Sequence, residues 1–293
     1  MDHGRILLPA KLNGTDVYFL FTNATDSWIR ADVAERLNMG HAPLAPETYI
    51  FVGGKDRLPE RRTAALELGG VHWRDFAFLP SPAGVGTDDA VVGTIGLDAF
   101  VEAKVDLEFD LGEDLINVIA RNDCRAPPWA GDAKPVTAFL GRDGIEFQVT
   151  LDGERLRAVV APALAQTRMP AFTARRQFGL FRETEHEDPD VHGPPTMLPH
   201  RFASLQLGDT ALETLDVSVV RQLAPPHWNY APPLYPFYVE PLDFEWFAAV
   251  EPTPTFYEPS DFLMLGVADL TRLRLYFAFG RNELFVVPAP HAP

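Results

Sequence analysis

Hydrophobic and polar residues alternate in short runs along most of the chain. Val105–Phe109 shows this alternation, which is typical of a strand with one buried face. Asn13-Gly14 and Asp152-Gly153 each precede an apolar run and predict hairpin turns, because both residues of each pair tolerate positive φ. Helical spacing is found in short segments, Asp32–Leu37 and Ala171–Phe178. Many short strands with little helix predict a mostly β fold of closed or sandwiched sheets.

Several of these features recur in the same order, which indicates an internal repeat. Each copy has a turn and an apolar strand, then a short helix, then two apolar or small residues and a glycine that lead into paired strands. This glycine element is Thr94-Ile95-Gly96 in the first copy and Met264-Leu265-Gly266 in the second. The repeat predicts a first lobe at 1–122, a Pro-containing linker at 123–135, and a second lobe at 136–293 with an insertion at 223–259.

The strand after each turn ends in a segment that resembles the catalytic loop of the retropepsin-like aspartic proteases. In that family the strand ends in Asp-Thr-Gly-Ala, followed by a small residue, any residue, and Ser or Thr. The first copy reads Phe21-Thr22-Asn23-Ala24-Thr25-Asp26-Ser27, and the second reads Ala161-Pro162-Ala163-Leu164-Ala165-Gln166-Thr167. The resemblance, to the bacterial tandem-repeat type, implies two pseudo-symmetric β-barrel lobes that pair about an internal twofold, with a cleft between them.

Neither copy has the aspartate that the chemistry of this family requires. Aspartic proteases use two neighbouring carboxylates that share one proton, one as base toward water and the other as acid toward the peptide carbonyl. On this alignment Phe21 and Ala161 hold the two aspartate positions. A shift of one residue in the first copy would place Thr22 there, which is not a carboxylate either. The alignment predicts that Phe21→Asp with Ala161→Asp would bring two carboxylates face to face across the lobe interface.

The residues of these two loops, together with two aromatic residues of a possible flap, are the predicted binding residues. They are Phe21, Thr22, Asn23, Ala24, Ala161, Pro162, Ala163, Tyr49 and Phe51. Gly53-Gly54, which follows the last two, predicts a hairpin turn, and the resemblance implies that this hairpin is the flap over the cleft. Asp98 and Asp269 follow the glycine elements. The resemblance implies a structural role for both, with hydrogen bonds to the loops, in preference to a relocated dyad.

The function predicted from these residues is that of a catalytically inactive aspartic-protease-like protein, a pseudoprotease. Its cleft would bind an extended peptide by strand addition, or its aromatic insertion would dock on another protein. Two alternatives stay open: an active aspartic endopeptidase with a non-standard dyad, and an unrelated activity on the same fold. Whether the chain is an enzyme is therefore undecided by its sequence.

Composition and charge limit the classes of partner and ligand that the chain is expected to bind. The formal charge of −16 at pH 7 would repel nucleic-acid phosphates and anionic membrane surfaces. The single cysteine, Cys124, excludes an internal disulfide. One acidic stretch contains residue types that bind metals but lacks the helical spacing of a zinc protease, so it predicts a solvated loop and no metal or cofactor is expected. These residues are His186, Glu187, Asp188, Asp190 and His192.

Location and assembly are expectations from the printed chain alone. It contains no apolar run long enough to cross a membrane, and its first residues do not form a signal-peptide pattern. The expectation is a cytoplasmic protein as the chain stands, or a periplasmic or secreted one if a leader has been removed. We also expect a monomer in which the two lobes act as an internal pseudo-dimer.

Overall fold

The computed structural model describes residues 6–23, 26–42, 50–52, 55–57, 61–81, 91–121, 126–141, 144–180, 196–221, 250–251 and 262–290. These residues form many strands and a few short helices, so the prediction of a mostly β fold is confirmed. Cys124 and the His186–His192 stretch lie outside this part of the chain, as does most of the insertion. Among the described residues, no helix is both long and apolar enough to span a membrane, and no group of three or more His, Cys, Asp or Glu could hold a metal.

The first lobe contains eleven strands and three short helical segments. The strands are β1 Leu7–Leu12, β2 Thr15–Phe21, β3 Trp28–Arg30, β4 Gly40–Ala42, β5 Ile50–Val52, β6 Lys55–Arg57, β7 Arg61–Leu68, β8 Val71–Ser81, β9 Val91–Ile95, β10 Val105–Asp110 and β11 Leu115–Ala120. The helices are α1 Ala31–Arg36 and α2 Asp98–Glu102, with a 3-10 turn at Leu111–Glu113.

The second lobe contains ten described strands. They are β12 Val136–Gly141, β13 Gly144–Leu151, β14 Glu154–Val160, β15 Arg168–Pro170, β16 Thr196–Leu207, β17 Thr210–Arg221, β18 Val250–Glu251, β19 Phe262–Leu265, β20 Leu273–Ala278 and β21 Glu283–Pro288. The helices are α3 Ala171–Phe178 and α4 Val267–Leu270, and a 3-10 turn at Pro128–Ala130 precedes β12.

Each lobe closes into a six-stranded barrel, and the two barrels share one topology. The first has the order β1-β2-β9-β3-β8-β7 and closes where Leu12 of β1 pairs with Leu66 of β7. The second has the order β13-β14-β19-β15-β17-β16 and closes where Leu151 of β13 pairs with Leu205 of β16. Closure leaves these strands without free edges. The two barrels fit the retropepsin-like two-lobe fold.

A sheet joins the lobes, because β10 of the first pairs antiparallel with β20 of the second. Leu107 pairs with Phe277, and Phe109 pairs with Leu275. The hairpins β10–β11 and β20–β21 therefore flank this junction in a twofold manner. Twofold pairing of equivalent hairpins brings the same end of each barrel to the seam between the lobes.

The polar face of β10 is buried at this junction, although its alternating sequence predicts a strand with only one buried face. Asp106 accepts a hydrogen bond from the Tyr276 hydroxyl at 3.0 Å. Glu108 accepts a hydrogen bond from the Arg274 Nε at 2.8 Å, and Asp110 forms an ion pair with the same nitrogen at 3.2 Å. Each of these three acids of β10 thus has a partner in the second lobe. Removing one member of such a buried pair typically costs about 3–5 kcal/mol, so this network fixes the lobes relative to each other.

A separate small sheet involves the predicted flap. β5 and β6 pair as an antiparallel hairpin, as the Gly53-Gly54 pattern predicts, although these two glycines lie outside the described residues. Val250 of β18 pairs with Val52 of β5. One short piece of the second lobe's insertion therefore lies beside the first lobe's hairpin.

Candidate binding cleft at the lobe seam

Two equivalent backbone hydrogen bonds identify corresponding residues of the two loops. In the first lobe, the N–H of Thr22 donates to the carbonyl of Ile95 at 3.0 Å. In the second lobe, the N–H of Ala161 donates to the carbonyl of Leu265 at 2.9 Å. Ile95 and Leu265 each directly precede the glycine of their element. Thr22 and Ala161 are therefore structural equivalents.

The alignment that pairs Phe21 with Ala161 needs a correction of one residue. Phe21 lies beside Ile95 in the parallel pair β2–β9, and Val160 lies beside Leu265 in β14–β19, so Phe21 is equivalent to Val160. Between the strand end and its Ser or Thr, the first loop is one residue shorter than the second. An alignment that counts back the same number of residues from that Ser or Thr ignores the missing residue. It therefore pairs Phe21 with Ala161 when Thr22 is the equivalent residue.

Phe21 lies in the hydrophobic core and not on the cleft. Its side chain is 1% exposed. The ring meets that of Phe100 edge to face and stacks on that of Phe109, both at 5.7 Å between centroids. Phe109 in turn meets Phe277 of the second lobe at 5.6 Å. Phe21 therefore belongs to an aromatic chain that runs beneath the loop into the junction between the lobes.

A hydroxyl and a carboxylate hold each loop against its glycine element. In the first lobe, the Ser27 hydroxyl donates to Asp98 at 2.6 Å and accepts from the Gly96 N–H at 2.9 Å. In the second lobe, the Thr167 hydroxyl donates to Asp269 at 2.5 Å and accepts from the Gly266 N–H at 3.1 Å. Both acids thus have the structural role that the resemblance implies.

The carboxylate of Asp98 should make stability depend on pH. Burial raises the pKa of Asp98 to about 6, against the hydrogen bonds from Ser27 and Ala99 that lower it. A pKa raised in the folded state means that protonation stabilises the fold, so this contribution is complete below an ordinary aspartate pKa and is lost as the pH rises through about 6. We expect the free energy of unfolding of the wild type to decrease between about pH 4 and 7 relative to that of Asp98→Asn. Urea denaturation across this range measures the difference, and parallel pH profiles would contradict it.

The loops of the two lobes meet at the seam. Leu20, which precedes Phe21, forms a small buried cluster with Ala163 of the other loop. Gly144, at the start of β13, has φ +108, and a Cβ added there would lie 2.7 Å from the carbonyl oxygen of Asn23. Asn23 is 3% exposed. This close approach of Gly144 to Asn23 places the first loop directly against the second lobe.

A row of directly paired residues crosses the outer face of each barrel at this seam. In the first lobe Leu20 pairs with Thr94, and Thr94 pairs with Trp28. The equivalent row of the second lobe is Val159, Met264 and Arg168. Residues that pair directly point to the same side of a sheet. Because Leu20 packs on Ala163 of the second loop, the first row lies on the face that its lobe turns toward the second lobe. The second row takes the equivalent place in its own lobe, where Val159 and Met264 pack with Ala161 and Leu164.

The two rows differ in chemistry. Trp28 and Thr94 are half-buried, and the Thr94 hydroxyl oxygen is a buried atom without a hydrogen-bond partner among the residues that the structure describes. Arg168 and Met264 are 3% and 4% exposed. The first row therefore contains a half-buried indole ring and a buried hydroxyl, and the second contains a buried arginine and a buried thioether. None of the four is predicted from the sequence as a binding residue, although Trp28 and Arg168 directly follow the Ser or Thr of their loops, and Thr94 and Met264 begin the glycine elements.

The structure describes only some of the other predicted binding residues. Pro162 and Ala163 form a buried turn at the seam. Phe51 lies on β5, in the flap hairpin. Ala24 and Tyr49 lie outside the described residues.

Comparisons with known proteins find similarity at the level of solved structures. No protein-family model matches the chain, and no curated protein does. Among solved structures, the chain is similar to the crystal structure of the retroviral protease-like domain of Ddi1 from Leishmania major. That match has 19% sequence identity and a TM-score of 0.27, and it covers 41% of this chain and 97% of that one.

Proposed function

We propose that this protein is a catalytically inactive relative of the aspartic proteases that binds an extended peptide at the lobe seam. The observation that carries the proposal is the pair Thr22 and Ala161, which make equivalent backbone hydrogen bonds at the ends of β2 and β14 and which we assign to the two catalytic positions. Neither a hydroxyl nor a methyl group can share a proton as a carboxylate pair does. Asp98 and Asp269 are each bound to a hydroxyl of their own lobe, which argues against a relocated dyad.

Peptide binding is supported by the surface that the seam presents. An extended peptide binds a groove through main-chain hydrogen bonds, while its alternate side chains fill pockets on either side. Trp28 supplies a half-buried indole ring to this seam. Large aromatic side chains carry much of the affinity of such sites. The proposed ligand is therefore a peptide in strand conformation that passes over the row of Trp28 and Thr94.

Selection from a displayed random peptide library, with the full chain as bait, tests this proposal. We expect binders whose affinity falls about tenfold or more in Trp28→Ala, because truncating an aromatic anchor commonly costs about 2 kcal/mol. The matched control is Trp73→Ala on β8, where a half-buried tryptophan packs on Phe76 at 5.6 Å between ring centroids, away from both rows. The proposal fails if no binder emerges, or if both variants lose affinity equally.

A further inference from the structure

The turn between β1 and β2 is held to the first barrel by the side chain of Asn13. Its Oδ1 accepts a hydrogen bond from the Ala65 N–H at 2.9 Å, and its Nδ2 donates to the carbonyl of Leu37 at 3.2 Å. The backbone N–H of Asn13 also donates to the carbonyl of Ala65, at 2.9 Å. Ala65 lies on β7 and Leu37 ends α1. These three hydrogen bonds, the Asn13 clamp, therefore tie the turn to a strand and to a helix.

The equivalent turn of the second lobe is held by a carboxylate. The backbone N–H of Asp152 donates to the carbonyl of Ser204 at 3.0 Å, and its Oδ1 accepts from the Ser204 N–H at 2.7 Å. Ser204 therefore corresponds to Ala65. The remaining side-chain atoms differ, because Oδ2 of Asp152 accepts from the Ala203 N–H at 3.1 Å, whereas Nδ2 of Asn13 donates to a carbonyl. An amide suits the first turn and a carboxylate suits the second.

Asn13-Gly14 also has the chemistry of spontaneous deamidation. The backbone nitrogen of Gly14 attacks Cγ of Asn13 and expels ammonia, which forms a five-membered succinimide, and water then opens the ring to aspartate or isoaspartate. Water is the only co-reactant. This is the one Asn-Gly pair in the sequence, and Asn13 is exposed. Gly14 has no side chain and no described atom within 4 Å of where a Cβ would lie, so nothing described shields its nitrogen.

The folded turn opposes this reaction through its backbone conformation. Leu12 pairs with Thr15 across the two-residue loop. Asn13 and Gly14 have φ of 49 and 80, which is the pattern of a type I′ turn. In that turn ψ of the first central residue is about +30°, so the Gly14 nitrogen and the Asn13 Cβ lie on opposite sides of the Cα–C bond. Ring closure requires them on the same side, and therefore requires the turn and its clamp to open.

We propose that Asn13 is a deamidation site that the clamp protects, and that its conversion weakens the first lobe irreversibly. An aspartate at this position places a carboxylate oxygen against the Leu37 carbonyl, where the amide now donates. Two acceptors that face each other lose the hydrogen bond and repel. Isoaspartate adds a backbone atom to a loop whose length fixes the register of β1 and β2. This site does not depend on the proposed peptide site.

Peptide mapping by mass spectrometry tests the site and its protection. The full chain is incubated in mildly alkaline buffer, with and without enough urea to unfold it. We expect the mass change from amide to carboxyl at Asn13 in both samples, about tenfold or more slowly in the folded chain because the turn must first open. Asn38 has φ 47 and is also exposed, but Met39 follows it, so it should change far more slowly than Asn13 in urea. No conversion of Asn13 in urea, or equal rates in the two samples, would overturn the proposal.

Asn13→Asp tests the consequence of the modification for stability. We expect a lower urea midpoint than that of the wild type, because the contact with Leu37 becomes repulsive. Asn38→Asp is the matched control, since it adds the same charge at an exposed, left-handed position whose side chain takes no part in the clamp. Its midpoint should stay close to that of the wild type. Equal midpoints for the two variants would overturn the proposed effect on the first lobe.

Discussion

Phe21→Asp is expected to destabilise the protein severely and not to restore a catalytic group. The wild-type ring is 1% exposed and packs between Phe100 and Phe109. Removing a buried Phe side chain costs about 3–5 kcal/mol, and a carboxyl without a partner in that position adds a desolvation penalty. The sum is comparable with the whole stability of a typical domain, about 5–15 kcal/mol. Urea denaturation should show a much lower midpoint, or the variant should be recovered only as aggregated protein.

Thr22→Asp is the matched comparison, one residue further along. The Thr22 hydroxyl is 3.5 Å from the carbonyl oxygen of Ile95, and its side chain does not belong to the aromatic chain that contains Phe21. Successive residues at the end of a strand face opposite sides, so an aspartate at 22 would point toward the seam. We expect a smaller loss of stability than for Phe21→Asp. The reverse order of the two losses would contradict the corrected alignment.

Gly266→Ala, in the glycine element that contacts the second loop, should lower the free energy of unfolding strongly for so small a substitution. Gly266 has φ −81, which alanine adopts without strain, so the cost is purely steric. An added Cβ would lie 2.3 Å from the carbonyl carbon of Gln166 and 2.4 Å from its oxygen. These are backbone atoms of the loop that Thr167 and Asp269 hold in place, and they cannot move aside as a side chain would. We expect a loss of about 3 kcal/mol or more, at the upper end of overpacking effects.

Gly153→Ala separates this steric cost from backbone strain. Gly153 has φ +92 and no atom within 4 Å of an added Cβ. Its substitution should cost only about 1 kcal/mol, the penalty of placing alanine in a conformation that favours glycine. Chemical denaturation of both variants gives the comparison. Similar losses for the two would mean that the glycine element does not press on the loop.

The fold could be predicted because its signals are local. Asn13 and Asp152 have φ of 49 and 46, as expected for the two turns, and each turn joins the antiparallel strands that the apolar runs predict. The glycine elements also follow from sequence, since Gly266 cannot carry a side chain where it meets the loop. Turn chemistry and close backbone approach both leave a residue-specific mark on the chain.

The equivalence of the two loops could be predicted only to within one residue. The signal in the sequence is the Ser or Thr that binds the aspartate after the glycine element. This residue is Ser27 in the first lobe and Thr167 in the second. The residue missing from the first loop lies between that anchor and the strand. The sequence does not show whether the first copy lacks a residue in its loop or in its strand. The backbone hydrogen bonds of Thr22 and Ala161 show that it lacks one in the loop.

The junction between the lobes could not be predicted, because its partners are distant in sequence. Asp106, Glu108 and Asp110 alternate with apolar residues as on any strand with a solvated face. They are buried because Arg274 and Tyr276 come from the other copy. The seam residues Trp28 and Thr94 were missed for a related reason, since their shared face is defined by strand pairing and not by spacing.

The central claim is that no pair of carboxylates shares a proton at the seam, and a peptidase assay tests it most directly. The full chain is incubated with a complex peptide library at several values between about pH 3 and 7, the range in which a carboxylate dyad titrates, and products are identified by mass spectrometry. We predict that the peptides recovered are the same with and without pepstatin. We also predict that a variant carrying Asp98→Asn and Asp269→Asn gives the same peptides as the wild type. Cleavage at acid pH that pepstatin blocks and that this variant lacks would contradict the claim.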